Sequence, residues 1–354
     1  MNDFPSPTPV PSTLPGPTYG PPLIPLTFGQ ILDRTYKLGR ANFMLFFGIA
    51  SVPSLAFFLV FAAMIGCMIP IVGPQIAAAQ ASAGQVPAAP PTYPPYLVAL
   101  VVVLTYPILF LVFALYLPAA SYAATQADRG AKVSFGNAYG LAFRRFWRYL
   151  WLMILPAFYV IVPLVAIGVV IAVGALLMHN SSGGLGAVSN PAGLFFLIPF
   201  IVLLYFVLFV YCIWIMLRFS VAFPASVMEG LTAWASLKRS AKLTKGAKGR
   251  IFLVLLVVYA ISYAVNLVLI MIYLVVAAVG AGVAILAHVA VGSSTFFILI
   301  GLAALGYLLV MVACTMFSYV AYTTTLAVLY NDQRLRKDGP LLPMPATPQP
   351  GEAV

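Results

Sequence analysis

Residues 238–250 read KRSAKLTKGAKGR and residues 251–277 read IFLVLLVVYAISYAVNLVLIMIYLVVA, so a segment dense in Lys and Arg gives way within one residue to a run without a single charge. At the helical rise, about 20 apolar residues cross a hydrocarbon core. A soluble core helix does not require such a run, and a bilayer does. Five more runs have the same character, near 43–69, 96–122, 150–178, 194–217 and 296–322, and none contains Asp, Glu, Lys or Arg. The expected fold is an all-α polytopic transmembrane bundle of about six spans.

Composition agrees with that reading. Hydrophobic residues make up 63% of the 354 and charged residues 7%, against roughly 25% charged in an average soluble domain. Residues 26–330 are expected to form one six-span membrane domain. Residues 1–25, interrupted by nine prolines from Pro5 to Pro25, read as a disordered cytoplasmic tail rather than a cleaved signal. The first span then serves as the insertion signal, and 331–354 read as a second cytoplasmic tail. Cys67, Cys212 and Cys314 lie far apart, each in its own apolar run, and read as small packing residues.

The segments between the runs alternate in charge. Residues 70–95, 179–193 and 278–295 hold no Lys or Arg and are expected to be outer loops, with a re-entrant piece open in the last of them; all 18 positive residues fall in the other segments. The positive-inside rule assigns those basic segments, and with them both termini, to the cytoplasm.

The basic segments also repeat. Thr27-Phe28-Gly29-Gln30 is echoed by Ser134-Phe135-Gly136-Asn137, and residues 33–40 (DRTYKLGR) by residues 238–245 (KRSAKLTK). A Thr or Ser opening each copy marks a helix start, and Gln30 completes a capping box with Thr27. Phe28, Ile31, Leu32, Thr35 and Leu38 recur at helical spacing opposite Arg34, Lys37 and Arg40, the pattern of an amphipathic helix lying in the headgroup plane. The expected unit, repeated three times, is one cytoplasmic interfacial helix followed by two spans. Arg34, Lys37, Arg40, Arg144, Arg145, Arg148, Lys238, Arg239, Lys242 and Lys245 are the candidate site residues, a ring of charge for lipid headgroups in which each is worth on the order of 1 kcal/mol against anionic lipid.

Three stretches resemble the membrane domain of bacterial glycerophosphodiester phosphodiesterases and the uncharacterised stand-alone membrane proteins related to it. They are Gly29-Gln30-Ile31-Leu32-Asp33-Arg34-Thr35 with Phe43; Glu229-Gly230 with Leu237-Lys238-Arg239-Ser240 and Leu243-Thr244-Lys245-Gly246; and residues 329–339, LYNDQRLRKDG. The resemblance implies a bacterial inner-membrane protein. It does not carry over the hydrolase activity, which in fused members belongs to a separate barrel domain absent from this chain.

Enzymatic chemistry has little to work with. The seven acids are all in cytoplasmic segments, the two histidines, His179 and His288, sit at the outer side, and no phosphate-cradling loop or metal-ligand spacing occurs. No cofactor and no metal site are expected, and no nucleic-acid module is visible. Glu229 reads as a helix-dipole or Arg partner and Asp33 as a surface partner of Arg34. Asn266, the clearest polar side chain within a span, suits an interhelical hydrogen bond. Charge-free spans argue against an ion-coupled pump. The reading is a non-catalytic protein associating with anionic lipid, a membrane partner or a second copy of itself; the alternative is a passive transporter or lipid-translocating facilitator for an uncharged or amphiphilic substrate, to which Pro53, Pro107, Pro156 and Pro163 would lend cavities.

Overall fold

In the computed structural model, residues 24–81, 95–181, 191–289 and 294–339 are described, and no strand occurs among them. Three short amphipathic helices, α1 (Phe28–Ala41), α4 (Phe135–Arg144) and α8 (Ala233–Thr244), each turn through a tight elbow into a long apolar helix. The elbows are Asn42 before α2 (Phe43–Ala81), Arg145 before α5 (Phe146–Ser181) and residues 245–247 before α9 (Lys248–Leu286). Helices α3 (Pro95–Asp128), α6 (Pro191–Phe219) and α10 (Ser294–Asp338) return the chain to the same end. Six helices are long and apolar enough to cross a membrane. The protein is an all-α, multi-pass membrane bundle built from three such units.

The first helix start is the one the sequence marks most clearly. Thr27 accepts from the Gln30 amide while the Gln30 side chain accepts from the Thr27 amide at 2.8 Å, which satisfies two of the orphan donors of α1. Ser134 caps α4 by accepting from Asn137 at 3.3 Å. The third start departs from expectation: Thr232 makes no side-chain cap bond, and its carbonyl instead accepts from the Ser236 hydroxyl at 2.8 Å.

An additional helix, α7 (Ala222–Glu229), falls in what the sequence suggests is a plain connection. Its residues Ala222, Pro224, Ala225, Ser226 and Val227 are buried. It ends at Gly230, whose φ of +66° is left-handed and suits glycine as a helix terminator.

Several expected boundaries shift. Helix α2 continues through Ala81, α5 through Ser181 and α9 through Leu286, so the first parts of the expected outer loops are helical; their remainders, 82–94, 182–190 and 290–293, lie outside the described residues, as do the Pro-rich residues 1–23. The expected C-terminal tail is corrected more substantially. Residues 331–338 extend α10, and Asn331, Asp332 and Gln333 are buried. At 1.5 Å per residue the 45 residues of α10 reach roughly 67 Å, more than twice a hydrocarbon core of about 30 Å. Its C-terminal part must therefore stand outside the hydrocarbon.

That part is where the core is densest. Ala119, Ala120, Ala123, Ala124 and Ala127 of α3 are all at most 5% exposed and belong to one buried cluster with Leu326, Ala327, Val328 and Leu329 of α10. A face of alanines lets two helix backbones approach closely. Thr323, Thr324 and Thr325 bury their hydroxyls by donating to carbonyls four residues back, at 2.8, 2.7 and 2.6 Å. Toward the other end large apolar side chains such as Val169, Val173, Val207, Leu274, Val279 and Leu302 remain about half exposed or more, a surface that only lipid solvates without penalty.

Candidate functional site

Beyond the apolar core, the basic end closes with a layer of ion pairs organised by three consecutive residues of α10. Tyr330, Asn331 and Asp332 each reach a different element. Tyr330 donates to Glu229 Oε1 at the end of α7 at 2.9 Å. Asn331 donates to Asp128 Oδ2 at the end of α3 at 2.6 Å, and its own oxygen accepts from Arg129 at 3.2 Å. Asp332 accepts from the Leu26 amide at 2.8 Å and from Arg336 at 2.9 Å, and pairs with Arg250 of α9 at 3.3 Å.

The two fully buried carboxylates, Asp128 and Asp332, are 0% exposed. Burial of a carboxylate requires full compensation, since an isolated buried charge is prohibitively costly. Asp128 is compensated by Arg34 of α1, whose Nε lies 2.5 Å from Oδ1 while its Nη2 donates to the Asp128 carbonyl at 2.8 Å. Arg336 and Arg250 compensate Asp332 and also bond the Leu26 carbonyl. Leu26 is thereby held by both of its backbone polar groups.

A third cluster ties α7, α8 and α10. Arg239 donates through Nε to both oxygens of Glu229, at 3.1 and 2.9 Å, and through its terminal nitrogens to Asp338. The hydrogen bonds to Asp338 and then to Glu229 push the Arg239 guanidinium above its ordinary pKa, so it stays charged. Arg148 of α5 donates to the carbonyls of Gly230 and Ser226 at 2.9 and 3.3 Å and lies over the Tyr149 ring, 5.0 Å from its centroid. Burial lowers the Arg129 pKa.

The ten residues expected to form a headgroup ring thus divide. Arg34, Arg148 and Arg239 turn inward and brace the bundle. Lys37, Arg40, Arg144, Arg145, Lys238, Lys242 and Lys245 remain exposed. Asp33 does not pair with Arg34 as expected. It pairs with Lys37 at 2.6 Å, one helical turn on, with both side chains 57% exposed. Glu229 is an Arg partner, as read. Asn266 makes the interhelical bond suited to it, donating to Ser318 of α10 at 3.0 Å. Cys314 is buried and Cys212 half-buried; the side chain of Cys67 and that of His179 lie outside the described set. His288 follows the end of α9 with φ of 50°.

Aromatic side chains ring the exposed cations. All four tryptophans, Trp147, Trp151, Trp214 and Trp234, are 40% exposed or more at this end. Lys238 lies 5.6 Å from the Trp234 centroid, and Lys248 and Arg218 lie 4.2 and 5.1 Å from that of Trp214. Tryptophan beside Lys and Arg is the usual dress of a membrane–water interface. Among the described residues no group of three or more His, Cys, Asp or Glu converges as metal ligands.

Sequence reasoning missed Asp128, Tyr330, Asn331, Asp332 and Arg250 as organising residues. A signal was present: Leu326, Val328, Leu329 and Tyr330 continue the helical apolar pattern past the expected end of the last span, which places the polar residues that follow on a buried helix rather than in a tail.

The chain matches no family model, and no curated protein and no solved structure shows significant similarity to it.

Proposed function

We propose that this chain is a non-catalytic, structural protein of a bacterial inner membrane, that its basic end faces the cytoplasm, and that this end associates with anionic lipid headgroups. The observation that carries the reading is the separation of charge by sign. Asp128 and Asp332 are buried and Glu229 is largely so, while seven of the candidate cations stay exposed. Among the described residues the two exposed acids, Asp33 and Asp338, already have cationic partners in Lys37 and Arg239. What faces the headgroups is therefore almost purely positive, and such a surface attracts anionic lipid within a Debye length. Kinship with the phosphodiesterase membrane domain belongs to the same proposal. It is supported by the roles of Arg34, Glu229, Arg239, Tyr330, Asn331 and Asp332, the residues of the resembling motifs that assemble the ion-pair layer.

The test is to purify the full chain in mild detergent, with Arg40, Lys238, Lys242 and Lys245 changed to Gln in a second preparation, and to quantify co-purifying phospholipid by class. Enrichment of anionic over zwitterionic lipid in the native chain, reduced in the variant, is expected. Equal lipid ratios in the two preparations would refute the reading. Labelling of single cysteines placed at Lys37 and Lys242 in intact cells and in inverted vesicles tests the orientation, with reaction expected only in inverted vesicles.

A further inference from the structure

Where α4 turns into α5, a cleft of about 790 Å³ opens against the side of α3. Its two walls differ in kind. Leu111 and Leu115 of α3 form an apolar wall, while Arg144 and Arg145 stand at the elbow itself, with Trp147 beside them. Leu115 lies 13 residues before Asp128, so along the α3 axis the cleft sits roughly 20 Å closer to the membrane centre than the buried ion-pair layer. With cations on one wall and leucines on the other, the cleft suits an occupant that has one polar end and one apolar end.

The two guanidiniums are available. No Asp or Glu lines the cleft, and none of the ion pairs among the described residues uses Arg144 or Arg145. The neighbouring Arg148 is already committed to the Gly230 and Ser226 carbonyls and fixes the elbow against α7. Two guanidiniums on neighbouring residues, neither in an ion pair, match a phosphodiester better than any neutral headgroup, because each presents a planar fork of donors.

The same chemistry recurs one repeat later. At the elbow from α8 to α9 a cleft of about 420 Å³ is lined by Arg218, Lys245 and Lys248 together with Gly246 and Gly249, again with no acid and again beside an exposed tryptophan, Trp214. A cation-lined cleft at the elbow is thus shared by two of the three units.

Resting on the reading of the basic end as a lipid-facing surface, we propose that the α4–α5 elbow cleft is a discrete binding site for one anionic diacyl phospholipid, in which Arg144 and Arg145 hold the phosphate and the Leu111 and Leu115 wall receives an acyl chain. A headgroup held this way leaves by breaking two charge-assisted contacts, so it stays bound when the general lipid annulus is exchanged away.

The experiment is native mass spectrometry of the full chain titrated with phosphatidylglycerol and, separately, with phosphatidylcholine. It compares the native protein, an Arg144→Gln/Arg145→Gln variant, an Arg144→Lys/Arg145→Lys variant and a Lys238→Gln/Lys242→Gln variant from the exposed face of α8. Expected is one phosphatidylglycerol retained by the native chain, weakened about five- to thirty-fold in the double-Gln variant on the strength of two lost headgroup charges, and weakened less in the double-Lys variant; the α8 variant should lose further, more weakly held phosphatidylglycerol from the basic surface while keeping this one. Phosphatidylcholine binding should be the same in all four. If the double-Gln variant keeps its phosphatidylglycerol while the α8 variant loses it, the basic surface binds lipid but the cleft does not. If the native chain does not distinguish the two lipids, both this site and the surface reading fall. Displacement of the retained lipid by excess inorganic phosphate would also overturn the proposal, since it would show that the apolar wall contributes nothing. Should the double-Gln variant fail to fold, the double-Lys variant decides: unchanged retention there, with the fork lost, overturns the assignment of the guanidiniums as phosphate ligands.

Discussion

Asn331 on α10 donates to the carboxylate of Asp128 on α3 at 2.6 Å, joining positions 203 residues apart inside the densest part of the bundle. The same carboxylate carries the guanidinium of Arg34 from α1. Three elements from three parts of the chain thereby share one buried anion. In such an arrangement removal of either the anion or its guanidinium strands a charge, and the fully buried carboxylate is the costlier one to leave uncompensated.

Replacing Asp128 by Ala should destabilise the folded protein by about 3–5 kcal/mol, the usual range for breaking a buried pair by removing one partner. Thermal unfolding in detergent, followed by loss of helical circular dichroism, measures it. A double-mutant cycle with Arg34→Gln should show strong coupling, the double variant falling well short of the summed losses. Additive losses would mean that the two side chains act independently despite their 2.5 Å separation.

Asp332 has a different task. It holds the amide of Leu26, while Arg250 and Arg336 hold the Leu26 carbonyl, so the strand of chain entering α1 is clamped to the exit of α10. In an Asp332→Asn variant the two arginines lose their shared anion and the clamp loosens. Limited proteolysis should then cut near Leu26 several-fold faster, while cleavage after α10 changes less. Equal cleavage at Leu26 in the native and variant chains would show that its contacts with the apolar core hold it without the clamp.

Tyr330 and Glu229 separate the contribution of one hydrogen bond from that of one charge. Tyr330→Phe removes a single donor to a carboxylate that keeps Arg239, and should cost about 1.5–3 kcal/mol, the range for a bond to a charged group, or less because Arg239 remains. Glu229→Gln removes the charge that Arg239 shares with Asp338 and should cost more. Chemical denaturation of the two variants in the same detergent ranks them, and the reverse order would contradict the geometry.

How much of this was readable in advance depends on the length scale of the interaction. The spans, the three amphipathic helices and the Thr27–Gln30 cap depend on residues within a few positions of each other, and periodicity exposes them. The pairing of Arg34 with Asp128 rather than with adjacent Asp33 does not, because it is decided by which face of α1 is buried: Ile31, Thr35 and Leu38 point inward, and Arg34 lies beside them while Asp33 faces out. The extension of α10 was obscured by polarity. Asn331, Asp332 and Gln333 look like tail residues until their partners, Asp128 and the backbone of Leu26, arrive from elsewhere in the chain. Charge counting located the basic surface but could not tell an exposed lysine from a guanidinium turned inward, since both sit on amphipathic helices at similar spacing.

Within the spans, Asn266 offers a test of whether polarity there serves packing alone. Its amide donates to Ser318, Ser318 in turn donates to the Cys314 carbonyl at 2.9 Å, and the Asn266 side-chain oxygen is buried without a partner. Asn266→Val therefore removes one orphaned acceptor together with one good donor, and leaves Ser318 still satisfied. Its effect on stability should be small, within about 1 kcal/mol, given that interhelical hydrogen bonds in membranes average about 0.6. Ser318→Ala should cost more, because it strips Asn266 of the partner its amide has while leaving the whole side chain buried. Reversible unfolding in mixed micelles distinguishes the two. If Asn266→Val proves strongly destabilising, the orphaned oxygen has a partner that only the membrane supplies, and the polar pair inside the bundle is then more than a packing contact.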